Sequence, residues 1–331
     1  MVPGRVRAER LAAASLIGGH VMRVVFRVFV VAALLGGVPM LAAQPAVARE
    51  TQASPSPAPT VEVLDAGKAP QEQLRLSPAV GSSGGVAMTM TESIEQSGAS
   101  TAKVNVPPIR ATIAASLPDT TPNGDLHVTF SYPSFEVLKG NGSTAAARRQ
   151  VERALEGVQG LAGEMTLTTQ GVVVDSRLDI PTDADPSIAQ ILGQLGDQFR
   201  SLTVPLPEPA VGEGARWRAT TELTLGAIQA RNVYEYSLKK RDGTRLQFDI
   251  RGTQTAQPQS VALPGQQSGV DVRLTKFKTT FRGAVTLDLS RLLAGSGRIA
   301  GNGNQTFRVD AGRQKGTVRQ HLDLEASIKP A

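Results

Sequence analysis

The chain has 331 residues, no cysteine, 35 Lys plus Arg against 29 Asp plus Glu, 33 Gly, 21 Pro, 40% hydrophobic residues and only 4% aromatic ones. That composition excludes disulfides, thiolate metal sites and thiol nucleophiles. The small aromatic share argues against stacking platforms for sugars or bases.

At the N-terminus Arg23 and Arg27 precede an uncharged stretch, 28–48, whose apolar core runs from Val28 to Leu35. Gly36, Gly37 and Pro39 then break the helix, and Ala46 and Ala48 flank Val47 as an A-x-A cleavage site before Arg49. Residues 22–48 read as a secretory signal starting at Met22, and 1–21 as an upstream extension from a start site placed too early. An uncleaved anchor is the alternative, but a spanning helix wants about 20 apolar residues. This stretch reaches that length only by including Gly36, Gly37, Pro39, Gln44 and Pro45.

Cleavage after Ala48 removes Arg5, Arg7, Arg10, Arg23, Arg27 and Glu9, leaving 30 bases against 28 acids. The mature chain is then near +2 and not +6, so the whole-chain pI of 9.8 lends little support to a polyanion-binding function and no nucleic-acid partner is expected. Without a cysteine to acylate, the cleaved product would be secreted or periplasmic, stabilised by a hydrophobic core that about 280 residues are ample to build.

Residues 49–68, with Ser-Pro-Ser-Pro-Ala-Pro-Thr at 54–60, read as a disordered linker. Period-two alternation follows, in Leu74 and Leu76, in Val86, Met88 and Met90, and in Leu126, Val128, Phe130 and Tyr132. It returns in Trp217, Ala219, Leu223 and Leu225, in Tyr234, Tyr236 and Leu238, and in Leu246, Phe248 and Ile250. Val285 to Leu289 and Val318 to Ile328 continue it, and Pro122-Asn123-Gly124-Asp125 and Arg241-Asp242-Gly243-Thr244 carry hairpin turn chemistry.

Two mid-chain segments have helical spacing instead. One is capped by Ser143 and presents Val151, Leu155, Val158 and Leu161; the other opens at Asp185-Pro186 and presents Ile188, Ile191, Leu192, Leu195, Phe199 and Leu202. The fold class expected is α+β and mostly antiparallel β: two similar β-rich halves, 69–204 and 205–331, forming a curved sheet or half-barrel covered by two helices.

The run Val204-Pro-Leu-Pro-Glu-Pro-Ala-Val211, continuing through Gly214 to Trp217, has a Pro-rich lead and the pattern V-x-x-G-x-x-W. With Leu74 to Gly81 and Met88-Thr-Met-Thr91 it resembles an uncharacterised family of bacterial secreted proteins and lipoproteins. The resemblance implies an envelope compartment and a fold similar to the half-open barrels of lipoprotein carriers; it implies no activity. On physical grounds alone, Pro205, Pro207 and Pro209 hold an extended crossing, Gly212 and Gly214 allow a tight turn, and Trp217 is a buried anchor.

The chemical motifs are weak. Gly81-Ser-Ser83-Gly-Gly85 satisfies G-x-S-x-G, but a strand follows where a nucleophile elbow needs a helix, and only His127 and His321 could serve as bases in the mature chain. Ser237-Leu-Lys-Lys240 matches S-x-x-K, but period two sends Ser237 and Lys240 to opposite faces of a strand. His321, Asp323 and Glu325 share a polar strand face without a second histidine fixed nearby, which a solvated face explains as well as a metal site would. The sequons at Asn141 and Asn304 are discounted, because the export signal is bacterial in character. Lys239, Lys240, Arg241 and Arg245, and Lys276, Lys278 and Arg282, would suit an anionic envelope surface or simply keep edge strands soluble, and are read as guards on exposed edge strands.

The expectation is a non-enzymatic envelope protein with no cofactor and no metal. It would bind a lipid or other amphiphile between the sheet and the second helix, through Ile188, Ile191, Leu195, Phe199, Trp217, Tyr234 and Tyr236. The alternative is a structural or protein-interaction module of the envelope without a small-molecule site.

Overall fold

A computed structural model describes residues 58–98, 101–156, 159–179, 203–225, 227–262, 269–293, 295–312 and 314–331. The segment read as an export signal (22–48), the residues before it and the second helical stripe, with Ile188, Ile191, Leu195 and Phe199, lie outside the described residues.

The strands are β1 (Thr60–Asp65), β2 (Ser83–Ser97), β3 (Ala102–Thr120), β4 (Leu126–Val137), β5 (Ala162–Leu167), β6 (Val173–Leu178), β7 (Arg216–Leu225), β8 (Ile228–Asp242), β9 (Arg245–Thr255), β10 (Gln259–Ser260), β11 (Asp271–Asp288), β12 (Ser296–Ala311) and β13 (Gln314–Pro330). They form one antiparallel sheet in the order β1-β7-β8-β9-β11-β12-β13-β2-β3-β4-β5-β6, with β10 beside β11 beyond the end of β9. The sheet is curved and open, its free edges being β1 and β6.

The alternation in sequence is the alternation of the two sheet faces. Leu126, Val128, Phe130 and Tyr132 are all buried, as are Leu246, Phe248 and Ile250, while the residues between them face outward. Gly124 and Gly243 take positive φ in the two hairpin turns foreseen between β3 and β4 and between β8 and β9.

Three expectations need correction. The span read as a disordered linker, 49–68, includes the edge strand β1, in which Val61 and Val63 alternate with Glu62 and pair with Ala219 and Trp217. The cover of two helices is not borne out: one helix, α1 (Ala145–Glu156), is described, burying Val151 and Leu155. Its cap is Thr144, whose Oγ1 accepts the Ala147 N–H at 3.1 Å, while the Ser143 hydroxyl donates to the Gly140 carbonyl. Leu74 and Leu76 are buried but lie in no strand. The two halves do join in one curved sheet, as expected: β13 pairs with β2 and one hydrophobic core draws on both.

Two irregular segments, 66–82 and 203–215, cross the sheet and stand in for the missing pairing between its edges. The Leu76 N–H donates to Thr169 O and that of Leu206 to Gln170 O, both in the β5–β6 turn. On the other side Ser77 N–H donates to Leu289 O, just past β11, and Gly214 N–H to Leu238 O in β8. The segments also bond each other, Glu72 and Val211 exchanging both backbone hydrogen bonds. Leu74, Leu206, Val211 and Ala215 are essentially inaccessible and fill this end of the curl with Trp217 and Phe248. The V-x-x-G-x-x-W run is thus a structural clasp. Gly214 needs its φ of +85° there, and a side chain at Gly212 would collide with the Lys68 carbonyl.

Candidate functional site

The register fixes which residues share the inner face. One row across the strands reads Tyr234, Gly252, Phe281, Gly301, Leu324, Glu92 and Val106, in β8, β9, β11, β12, β13, β2 and β3. The next reads Asn232, Gln254, Thr279, Gly303, Leu322 and Ile94. Beyond it, Gln305, Gln320 and Gln96 lie side by side on β12, β13 and β2.

These rows separate two apolar regions. One is the clasped core described above. The other lies at the far end of the long strands, where Val272, Leu274, Phe307, Val309 and Val318 pack under Val261. Between them runs a polar belt. The Gln305 amide donates to Gln320 Oε1 at 2.7 Å and the Gln320 amide to Gln96 Oε1 at 2.9 Å, a chain linking three strands. Asn232, in the other half of the belt, has a buried Oδ1 without a hydrogen-bond partner among the described residues.

Glu92 stands out. It takes an apolar-phase position in β2, after Met88 and Met90 and before Ile94, and it is buried. No described residue offers it an ion pair or a side-chain hydrogen bond, and desolvation raises its pKa to about 8. The backbone around it is fixed by Asn141, whose amide donates to Val106 O at 2.5 Å. The face about it is half-covered: Leu322, Leu324, Phe277, Phe281 and Tyr234 are neither sealed nor fully exposed.

Of the residues foreseen as ligand contacts, Tyr234 reaches this face. Its ring lies over Gly252 and 5.8 Å from that of Phe281, and burial pushes its hydroxyl up to about 12. Trp217 and Tyr236 instead stack at 5.6 Å inside the clasped core, with Phe248 edge-on to the indole at 5.4 Å. Glu92, Asn232, Gln96 and Gln320 were not anticipated. Their signal was present in the sequence as polar residues on the apolar phase of otherwise alternating strands.

The other motifs resolve locally. Ser83 opens β2 and is exposed, while His127 Nδ1 lies 2.9 Å from Asp119 and His321 Nδ1 lies 3.0 Å from Asn304; neither histidine is bonded to Ser83. Ser237 and Lys240 fall on the same, outer face and not on opposite ones. A bulge after Leu238 pairs Lys240 with Gln247 and shifts the phase by one. Glu325 is held by Arg298 at 2.7 Å, and among the described residues no three His, Asp or Glu gather where they could hold a metal. The basic clusters do not guard edges, because β8, β9 and β11 lie inside the sheet and the free edges are β1 and β6.

The sequence matches no family model and no curated protein. Among solved structures it is similar, at low level, to several proteins, among them the following three. The first is Pseudomonas aeruginosa OpdL, with 8% identity, 75% of this chain and 99% of that one covered, and a TM-score of 0.19. The second is the Vibrio cholerae outer membrane protein OmpT, with 8% identity, 75% and 100% covered, and a TM-score of 0.16. The third is the P. putida toluene transporter TodX, with 12% identity, 77% and 91% covered, and a TM-score of 0.11.

Proposed function

We propose that the protein is exported to the bacterial envelope and there binds an amphiphilic molecule on the inner face of its sheet, without chemical conversion of it. The observation that carries this reading is the Glu92 carboxyl, buried on a largely apolar face with no partner among the described residues. Holding an ionisable carboxyl on such a face costs desolvation free energy, which a ligand group meeting that carboxyl would offset. With its pKa near 8 it is mostly protonated at neutral pH and both donates and accepts. A ligand hydroxyl or amine would meet that carboxyl while alkyl chains cover Leu322, Leu324 and Phe281. Export follows from the basic start, apolar core and A-x-A site at 22–48.

The test is native mass spectrometry and solvent extraction of the full chain purified from the cells that make it. A discrete adduct, extractable with chloroform and methanol, is the expected result. A homogeneous protein mass, together with no uptake of supplied fatty acid or lysophospholipid, would leave an envelope module with a filled interior and no cargo.

A further inference from the structure

On the outer face of the same sheet the cross-strand partners are mostly complementary. Arg298 meets Glu325 at 2.7 Å, Arg110 meets Glu136 at 2.7 Å, and Lys239 meets Asp249 at 3.1 Å. Where β11 faces Arg251 of β9 and Arg308 of β12 this pattern breaks. Arg251 stands directly opposite Arg282, and Arg273 directly opposite Arg308. Lys276 and Lys278 lie on β11 between Arg273 and Arg282, on the same face. All six are exposed, and none has a salt bridge among the described residues. Glu235, the acid facing Arg251 from β8, is occupied by Arg218 at 2.7 Å. Arg319 on β13, opposite Thr306, extends the array.

Like charges placed directly across a ladder are destabilising, so this arrangement works against the fold that holds it. Neighbours on the array are about 5–7 Å apart, within a Debye length at physiological salt, and their potentials therefore add. The residues interspersed among them are polar, as with Thr280, Asn302 and Asn304, and none offers the apolar anchor on which a protein partner would centre.

We propose that this outer basic array docks the protein on an anionic lipid surface by electrostatic contact without insertion. The occupant is the headgroup layer of a membrane: an extended plane of phosphate charge matches an extended array of cations on a rigid sheet. The attraction is worth about a fivefold change in partition for each Lys or Arg near such a surface. The inference goes beyond the ligand reading and stands whether or not the inner face carries cargo.

The experiment measures sedimentation of the full chain with vesicles of phosphatidylcholine alone or mixed with phosphatidylglycerol, between low and high salt. Wild type is expected to bind the anionic vesicles in excess of the neutral ones, and the excess should vanish as salt rises. The double variant Lys278→Gln/Arg282→Gln should lower that excess by about 25-fold. Arg149→Gln/Arg153→Gln, which removes the same charge from the exposed side of α1, should leave it unchanged. Circular dichroism confirms that each variant is folded. Equal binding of wild type and the Lys278/Arg282 variant overturns the proposal, as does equal loss in the α1 variant. So does equal uptake by neutral vesicles, which is the outcome if the N-terminal apolar segment alone drives binding. Retention by a soluble polyanion with no excess on anionic vesicles overturns it too.

Discussion

The Trp217 indole donates its Nε1–H to the carbonyl of Pro205 across 2.8 Å, inside the core and twelve residues back along the chain. That bond joins the crossing segment 203–215 to the first residues of β7, so a single side chain couples the clasp to the sheet it spans. Trp217→Phe keeps most of the apolar contact but leaves the buried Pro205 oxygen without its donor, and it should cost about 1–3 kcal/mol. Trp217→Ala adds a cavity beside Tyr236 and Phe248 and should cost about 3–5 kcal/mol. Urea unfolding of the two variants checks both, and a near-neutral Trp217→Phe would mean that the hydrogen bond contributes nothing.

Gly252 lies in mid-strand under the Tyr234 ring, where an added Cβ would fall on the ring carbons and 3.3 Å from Phe281 Cβ. Gly252→Ala should therefore lower stability by about 1–3 kcal/mol through overpacking. The penalty should shrink in a Tyr234→Ala background, because the clash is then gone. Gly84→Ala, with nothing within 4 Å of the new carbon, is the control and should be near neutral. Thermal melts of the four variants close the cycle.

The raised pKa of Glu92 predicts a pH dependence with a definite sign. The folded protein holds a proton on Glu92 up to about pH 8, whereas the unfolded chain releases it near 4.5. Between those values the native state binds more protons than the unfolded one, so stability falls as pH rises through this window and levels off above it. The size is on the order of a few kcal/mol. Glu92→Gln, which cannot ionise, should flatten the profile and make the protein more stable than wild type at pH 8. Denaturant midpoints at pH 5, 6.5 and 8 test this, and parallel profiles for the two proteins would exclude Glu92 as the source.

The glutamine chain predicts non-additivity. Gln320 both accepts from Gln305 and donates to Gln96, and it is 3% exposed. Gln320→Leu strands both partners and should cost about 2–4 kcal/mol, whereas replacing Gln96, Gln305 and Gln320 together by Leu should cost less than the single change. Chemical denaturation of the single and triple variants decides it.

Much of the scaffold was determined by sequence alone. A strand with one buried face must alternate, so Leu126 to Tyr132, Leu246 to Ile250 and the hairpin glycines Gly124 and Gly243 announced their roles locally. Tertiary structure decided what depends on distant partners. Val61 and Val63 become a strand because Ala219 and Trp217 present an open edge. Leu74 and Leu76 alternate as a strand would, yet they are buried by a crossing segment that no local pattern distinguishes from a ladder. A bulge of one residue after Leu238 moved Lys240 to the face of Ser237, a shift that periodicity carries no trace of. The inner belt and the outer basic array exist only through register. It sets Gln96 beside Gln320, more than two hundred residues away, and Arg251 beside Arg282, and register is chosen by the fit of whole strands and not by either residue of a pair.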